Sequence, residues 1–294
     1  MEPSRESPPR HFRYRPVPGS WERMRHPNWP DRVFEVPEQK SKGDIFYITK
    51  GYCIRVGGTA FVELLPSGHV AKTPKVNPYY PERERQNRQS MQREALIYEM
   101  VGPNPFIPDL GSWDPEFHVL TLKNYANGDV EGFIRKSEHC GGIVLDTRRK
   151  WALQAAKAVA ILHARGVVHN DVAPRNFLLD ENLNLRICDF GGCSLPNETS
   201  CSCAPGSRYE ARPWTRDCVQ TQADDIFALG SCLVLHHVWE RTLQRPRRRR
   251  SRASFYGPTV SRVPSPGLRC CHSRLLARSS RNSRAGREGF RLFY

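Results

Sequence analysis

HNDVAPRNFLL at residues 169–179, followed by CDFGG at 188–192, is the stretch on which the fold turns. Ahead of it, Trp151, Ala155, Ala158 and Leu162 recur at helical spacing, with Asp146 placed to cap the helix and Gly166 to end it. Within and after it, FLLD at 177–180 and LNLRIC at 183–188 read as two short strands joined at Glu181-Asn182. Leu183, Leu185 and Ile187 alternate there with polar residues, so one face is buried. Asp171, Asn176 and Asp189 therefore fall on two short loops at the base of one hairpin.

Working toward the N-terminus, FHVLTL at 117–122 reads as a strand. Residues 82–101 read as a helix with a polar first half, followed by Ala95, Leu96, Tyr98 and Met100 and stopped by Pro103 and Pro105. FYITKGYCIRV at 46–56, FVELL at 61–65, a turn at Pro66-Ser67-Gly68 and HVAK at 69–72 predict an antiparallel meander. Strands with one helix are thus followed by a mainly helical part carrying a short hairpin, an α+β order.

The two quoted motifs resemble those of the protein kinase family, H-R-D-L-x-x-x-x-N and D-F-G, and the likeness covers roughly residues 46–235. It implies a two-lobed fold, with a small, mainly antiparallel β N-lobe holding one helix at 44–128 and an incomplete, mainly helical C-lobe at 129–236. It also implies transfer of the ATP γ-phosphate to a protein Ser/Thr hydroxyl with Mg2+ as cofactor. Two other classes share parts of the pattern: a kinase-like module that binds nucleotide or partners without transferring phosphate, and a small-molecule phosphotransferase. DFG, GSRYEARP at 206–213 and DDIFALG at 224–230 favour the protein kinase branch over the latter.

The resemblance assigns roles residue by residue. Asp171 accepts or orients the proton of the acceptor hydroxyl, while Asn176 and Asp189 supply oxygen to Mg2+. HVAK resembles the V-A-x-K strand, so Lys72 meets the α/β-phosphates. Glu94 is the chosen carboxylate for that lysine, ahead of Glu99 and Glu84. Gly57 and Gly58 stand for the phosphate loop. Val62, Ala71 and Leu178 would enclose adenine, and Asn124, Tyr125 and Ala126, in LKNYANGDV at 122–130, would face it through their backbone. Asp225 would cap amides of the catalytic loop rather than do chemistry.

Four departures accompany these matches. Only two glycines mark the phosphate loop. Asn170 stands where the family has arginine, which argues against a switch that pairs that arginine with a phosphorylated loop. ARP replaces A-P-E at 211–213. The pattern lapses at 233–240, so Ile226, Leu229, Leu233 and Val234 are expected to face water for want of covering helices. In VAPRN, Ala173 occupies a position where many Ser/Thr kinases have lysine, and APRN comes near the tyrosine-kinase AARN, which leaves the acceptor open.

Composition bounds the remainder. The 294 residues hold 45 Lys+Arg against 30 Asp+Glu, but 15 Arg and a single acid, Glu288, lie within 241–294, so the rest is near neutral. Residues 1–43 are Pro-, Arg-, Ser- and Glu-rich and read as a disordered leader. Residues 237–294 read as an Arg/Ser-rich disordered tail, with three sources open: a nucleic-acid arm, a regulatory segment, or out-of-frame translation. The last is favoured because a CGN arginine run shifted by one base reads GNC, which includes the aspartate codon. With no 18-residue apolar run and no apolar signal core, the expectation is no membrane span and a place in the cytoplasm or nucleus. Ten cysteines without a C-x-x-C pair, including Cys201/Cys203 and Cys270/Cys271, predict reduced thiols rather than zinc.

Overall fold

The computed structural model describes residue 9 and residues 11–137, 143–196, 209–211 and 219–242, with 234–242 as helical backbone only. Strands β1 (Arg13–Val17) and β2 (Asp44–Ile48) pair in parallel, with the short helix α1 (Ser20–Arg25) in the crossover. A five-stranded antiparallel sheet follows, built from β3 (Tyr52–Val56), β4 (Ala60–Leu64), β5 (His69–Pro74), β6 (Leu110–Asp114) and β7 (Val119–Lys123), in the order β3-β4-β5-β7-β6. Helix α2 (Pro81–Val101) interrupts the strand sequence. Next come α3 (Val130–Ser137), α4 (Leu145–His163), the hairpin of β8 (Phe177–Leu179) and β9 (Leu185–Ile187), and α5 (Gln222–Thr242). This is the α+β, two-lobed architecture that the motifs imply.

Local chemistry explains the two main helices. Pro81 opens α2, where its missing N–H would be unbonded anyway. The polar first half of α2 gives way to Met91, Glu94, Ala95, Ile97, Tyr98 and Val101, all buried. In α4 the buried stripe is Trp151, Ala155, Ala158, Val159 and Leu162, as the spacing predicts. These stripes meet Phe177, Leu179, Leu185, Ile187 and Phe190 in one continuous core, which buries the hairpin base and fixes the site loops above it.

Several expectations need correction. Asp146 lies in the first turn of α4 while Val144 takes the cap position, so the carboxylate acts on the helix dipole and pairs with Arg149 at 3.3 Å instead of capping. The run 46–56 is not one strand: it breaks at Gly51 between β2 and β3, where the chain crosses β4 so closely that a Cβ would meet the Leu64 carbonyl oxygen at 2.2 Å. Residues 11–43 are not structureless. Phe12 and Tyr14 are buried with Ile45 and Phe61 in a second apolar cluster. The Pro-rich composition conceals this because β1 is an edge strand, where Pro16 interrupts no ladder. Leu229 does not face water; Ala228, Leu229 and Cys232 are buried in the main core, whereas Ile226 is 59% exposed. The tail reading falls, for 243–294, outside the described residues, as do the leader at 1–8 and 10 and most of GSRYEARP. No helix among the described residues is long and apolar enough to cross a membrane.

Candidate active site

The β5–α2–hairpin junction brings three charged groups together. Lys72 Nζ donates to Glu94 Oε2 and to Asp189 Oδ1, each at 2.6 Å. Glu94 is thus the partner, while Glu84 pairs with Arg88 on its own helix. Burial pulls Lys72 down, but the Asp189 and Glu94 carboxylates outweigh it, and the ammonium is held charged. Burial also raises Glu94, partly offset by Lys72. Asp189 moves the other way: the Lys72 ammonium lowers it to about 2 despite burial of its surroundings.

Asp189 adopts φ +73°, a left-handed conformation that Asp tolerates better than most residues. Its side chain remains 54% exposed, open to the cleft. Phe190 behind it is fully buried, edge-on to Tyr98 of α2 and to His169. Gly191 allows α2 to approach, since a Cβ there would meet Ser90 Oγ at 2.3 Å. Ser90 Oγ donates to the Gly191 carbonyl at 2.9 Å, tying helix to loop.

The loop 169–176 is over-determined. The Asp225 carboxylate, at the start of α5, accepts from His169 N at 2.7 Å and Asn170 N at 2.9 Å. It also meets His163 Nε2 at 2.9 Å, a partner the motif does not announce. Asp171 N donates to His169 Nδ1 at 3.2 Å, so the imidazole carries its proton on Nε2 and donates to the Cys188 carbonyl at 3.1 Å. Asn170, at φ +66°, donates from Nδ2 to Gly192 O and Ser194 Oγ, both at 2.9 Å. The residue in the arginine position therefore stitches the loop directly to the segment after Asp189.

Asn176 Nδ2 donates to Asp171 O at 2.7 Å and to Asp171 Oδ2 at 2.9 Å. Arg175 pairs with Asp171 Oδ1. No sequence signal announces that ion pair, because the four-residue spacing brings side chains together on a helix and 171–173 is not helical. Burial raises Asp171, while Arg175, His169 and Asn176 pull it back. Cys188 N donates to Asn176 O at 2.9 Å, so the hairpin base makes Asn176 and Asp189 near neighbours. An amide and an exposed carboxylate are hard oxygen donors, and the set fits Mg2+.

The adenine side needs one correction. Val62 pairs with Lys72 across β4 and β5, so their side chains share a face. Ala71 pairs with Glu63, takes the opposite face and cannot join them. Val70, two residues before Lys72, takes the place assigned to Ala71. Val62, Val70 and Leu178 are all half-buried, as cleft-lining residues should be. Asn124, Tyr125 and Ala126 link β7 to α3; Tyr125 is buried, and its OH accepts from Asp109 N at 3.1 Å. Gly57 and Gly58 form the β3–β4 turn, closed by Gly57 N to Ala60 O at 2.9 Å.

Comparison with known proteins agrees with this geometry. The family model described as Protein kinase domain matches residues 74–254, beyond the point where the sequence pattern lapses. The match includes Glu94, Asp171, Asn176 and Asp189 and starts just after Lys72. The chain is 28% identical over 179 residues to serine/threonine-protein kinase PDK1 of Cryptococcus neoformans, covering 55% of this chain and 14% of that protein. It is 28% identical over 243 residues to Salt tolerance receptor-like cytoplasmic kinase 1 of Oryza sativa, covering 76% and 66% respectively. With serine/threonine/tyrosine-protein kinase HT1 of Arabidopsis thaliana, identity is 24% over 164 residues, covering 54% and 40%. The chain spans less than two thirds of the length of each of these relatives.

Proposed function

The chain belongs to the protein kinase family, and from that premise we propose that it transfers the γ-phosphoryl group of ATP to a serine or threonine hydroxyl of a protein. The observation that carries this is the contact of Lys72 with both Glu94 and Asp189, beside a loop joining Asp171 to Asn176. Phosphoryl transfer leaves the protein little covalent work, so positioning and charge dominate.

Lys72, kept charged by its two carboxylates, faces the α/β-phosphates. Glu94 fixes its reach. Asp189, held ionised by Lys72, and Asn176 are the residues to hold Mg2+, which when bound neutralises phosphate charge. Asp171 orients the acceptor hydroxyl and takes its proton; Asn176 and Arg175 hold that carboxylate in place. Adenine lies between Val62, Val70 and Leu178, with its edge toward the backbone of Asn124, Tyr125 and Ala126. Gly57 and Gly58 cover the phosphates.

The names of two of the relatives support a Ser/Thr acceptor. The test is transfer from Mg-ATP to a protein acceptor carrying Ser, Thr and Tyr, followed by phosphoamino-acid analysis. Phosphoserine or phosphothreonine is expected, and Asp171→Asn should bind ATP as before while losing transfer by about a hundredfold or more. Phosphotyrosine alone would contradict the acceptor, and undiminished transfer by Asp171→Asn would contradict its role. The two-glycine loop favours one second reading, nucleotide binding without transfer; saturable ATP binding with no phosphorylated product would establish it.

A further inference from the structure

The roles above leave Lys75 and β1 without a task, yet the two meet at the glycine turn. Lys75 follows β5 and is 8% exposed. Pleating places it with Phe61 and Thr73, on the side of the sheet opposite Lys72. Its Nζ lies 5.1 Å from the ring centroid of Tyr14 in β1 and 5.4 Å from that of Phe61 in β4, both within cation–π range. The same Nζ donates to the Gly57 carbonyl at 2.6 Å. The main chain is held as well: Lys75 N donates to Thr59 O at 2.8 Å, and Asn87 Nδ2 of α2 donates to Lys75 O at 2.8 Å.

A trans peptide keeps its C=O and N–H on opposite sides. Holding the Gly57 oxygen on the Lys75 side therefore turns the Gly58 N–H toward the Val62–Lys72 side, where the phosphates belong. A Cβ built on Gly58 would meet nothing within 4 Å, so the space beside it is open. Backbone amides in such a turn are anion donors when their direction is fixed. A loop with two glycines has few such amides to offer, which makes the direction of this one matter.

We infer that Lys75 is a positioning residue for the nucleotide: caged by Tyr14 and Phe61, it orients the Gly57–Gly58 peptide so that the Gly58 amide faces phosphate, and β1 thereby contributes to nucleotide grip. This rests on the kinase reading above. The arrangement is also sensitive to pH. Burial lowers Lys75 to about 8, helped by Arg83 of α2 and opposed by Cys53 of β3. Tyr14 of β1, Glu84 of α2, Tyr47 of β2, stacked on Phe61, and Tyr79, packed in the same cluster, are further titratable groups around the cage. As pH rises through that value the ammonium becomes a neutral amine, which donates more weakly and loses its cation–π attraction, so the tether loosens.

The test uses the full chain as wild type, Lys75→Met and Tyr14→Leu, with amide exchange over 56–60 and titrations with Mg-ATP and with adenosine, which lacks phosphates. Both variants should exchange faster over 56–60. Lys75→Met should bind Mg-ATP about tenfold more weakly, the order of one charge-assisted hydrogen bond, with adenosine affinity within about twofold of wild type. Raising the pH from about 7 to about 9 should weaken Mg-ATP binding by wild type and leave Lys75→Met unchanged. Equal losses for ATP and adenosine would overturn the inference, as would unchanged exchange and unchanged ATP affinity. Wild type that binds neither ligand would sink the kinase reading and this role with it; that failure shows in the parent protein, not in the variants.

Discussion

The floor and the roof of the cleft are held in different ways. The floor, residues 169–176 with 188–194, is cross-linked by at least six side-chain hydrogen bonds from Asp225, His169, Asn170 and Asn176. Those four residues are themselves buried, so a broken bond leaves one of their polar groups unsatisfied. The roof, the β3–β4 turn, depends on one lysine whose cage includes a ring from the far N-terminal strand. A floor built this way resists change until it fails, whereas a roof anchored outside its own turn by a single residue, Lys75, can be graded.

The floor is most vulnerable at Asp225, which is 2% exposed and serves two amides and an imidazole. Asp225→Ala should cost about 3 kcal/mol, or roughly 8 °C in melting temperature. A shift under about 2 °C would mean the floor is not held as described. Next comes the acid limb. The folded-state pKa of Asp189 lies below its unfolded value, so its contribution is present above about pH 4 and disappears as pH falls toward about 2. The melting difference between wild type and Asp189→Asn should therefore shrink across that window, and a constant difference would deny the Lys72–Asp189 pair its charge. The smallest effect belongs to the roof: Tyr14→Leu should cost only about 1 kcal/mol, with its exchange change confined to β1, β2 and the 56–60 turn.

Legibility followed the range over which a residue's partners lie. Asp171, Asn176 and Asp189 were legible through their match to the kinase motifs, and one short loop with the hairpin that follows gives the physical reason that they converge. Glu94 was readable because its spacing to Pro103 and Pro105 resembles that between the kinase helix and the strand after it. Ala71 was misassigned because a motif match by adjacency ignores the two-residue period of a strand; Val70 shares a face with Lys72 and Ala71 does not. Strand β1 was missed because its partner β2 lies across a long crossover, and composition reports nothing about such pairing. Arg175 and Lys75 stayed hidden for a related reason. An arginine between Pro174 and Asn176 and a lysine after a strand look solvated until their partners, Asp171 in one case and Tyr14, Phe61 and Gly57 in the other, are in place.

The central claim, that Lys72, Asn176 and Asp189 surround one magnesium-bound triphosphate, is tested most directly by melting the full chain with ATP, with and without Mg2+, as wild type and as Asp189→Asn. At a ligand concentration a hundred times Kd, wild type should gain about 2.7 kcal/mol from Mg-ATP. The magnesium-dependent part of that gain should vanish in Asp189→Asn, whose amide keeps the left-handed backbone but loses the charge. A full magnesium-dependent shift retained by Asp189→Asn would mean that Asp189 does not hold the metal.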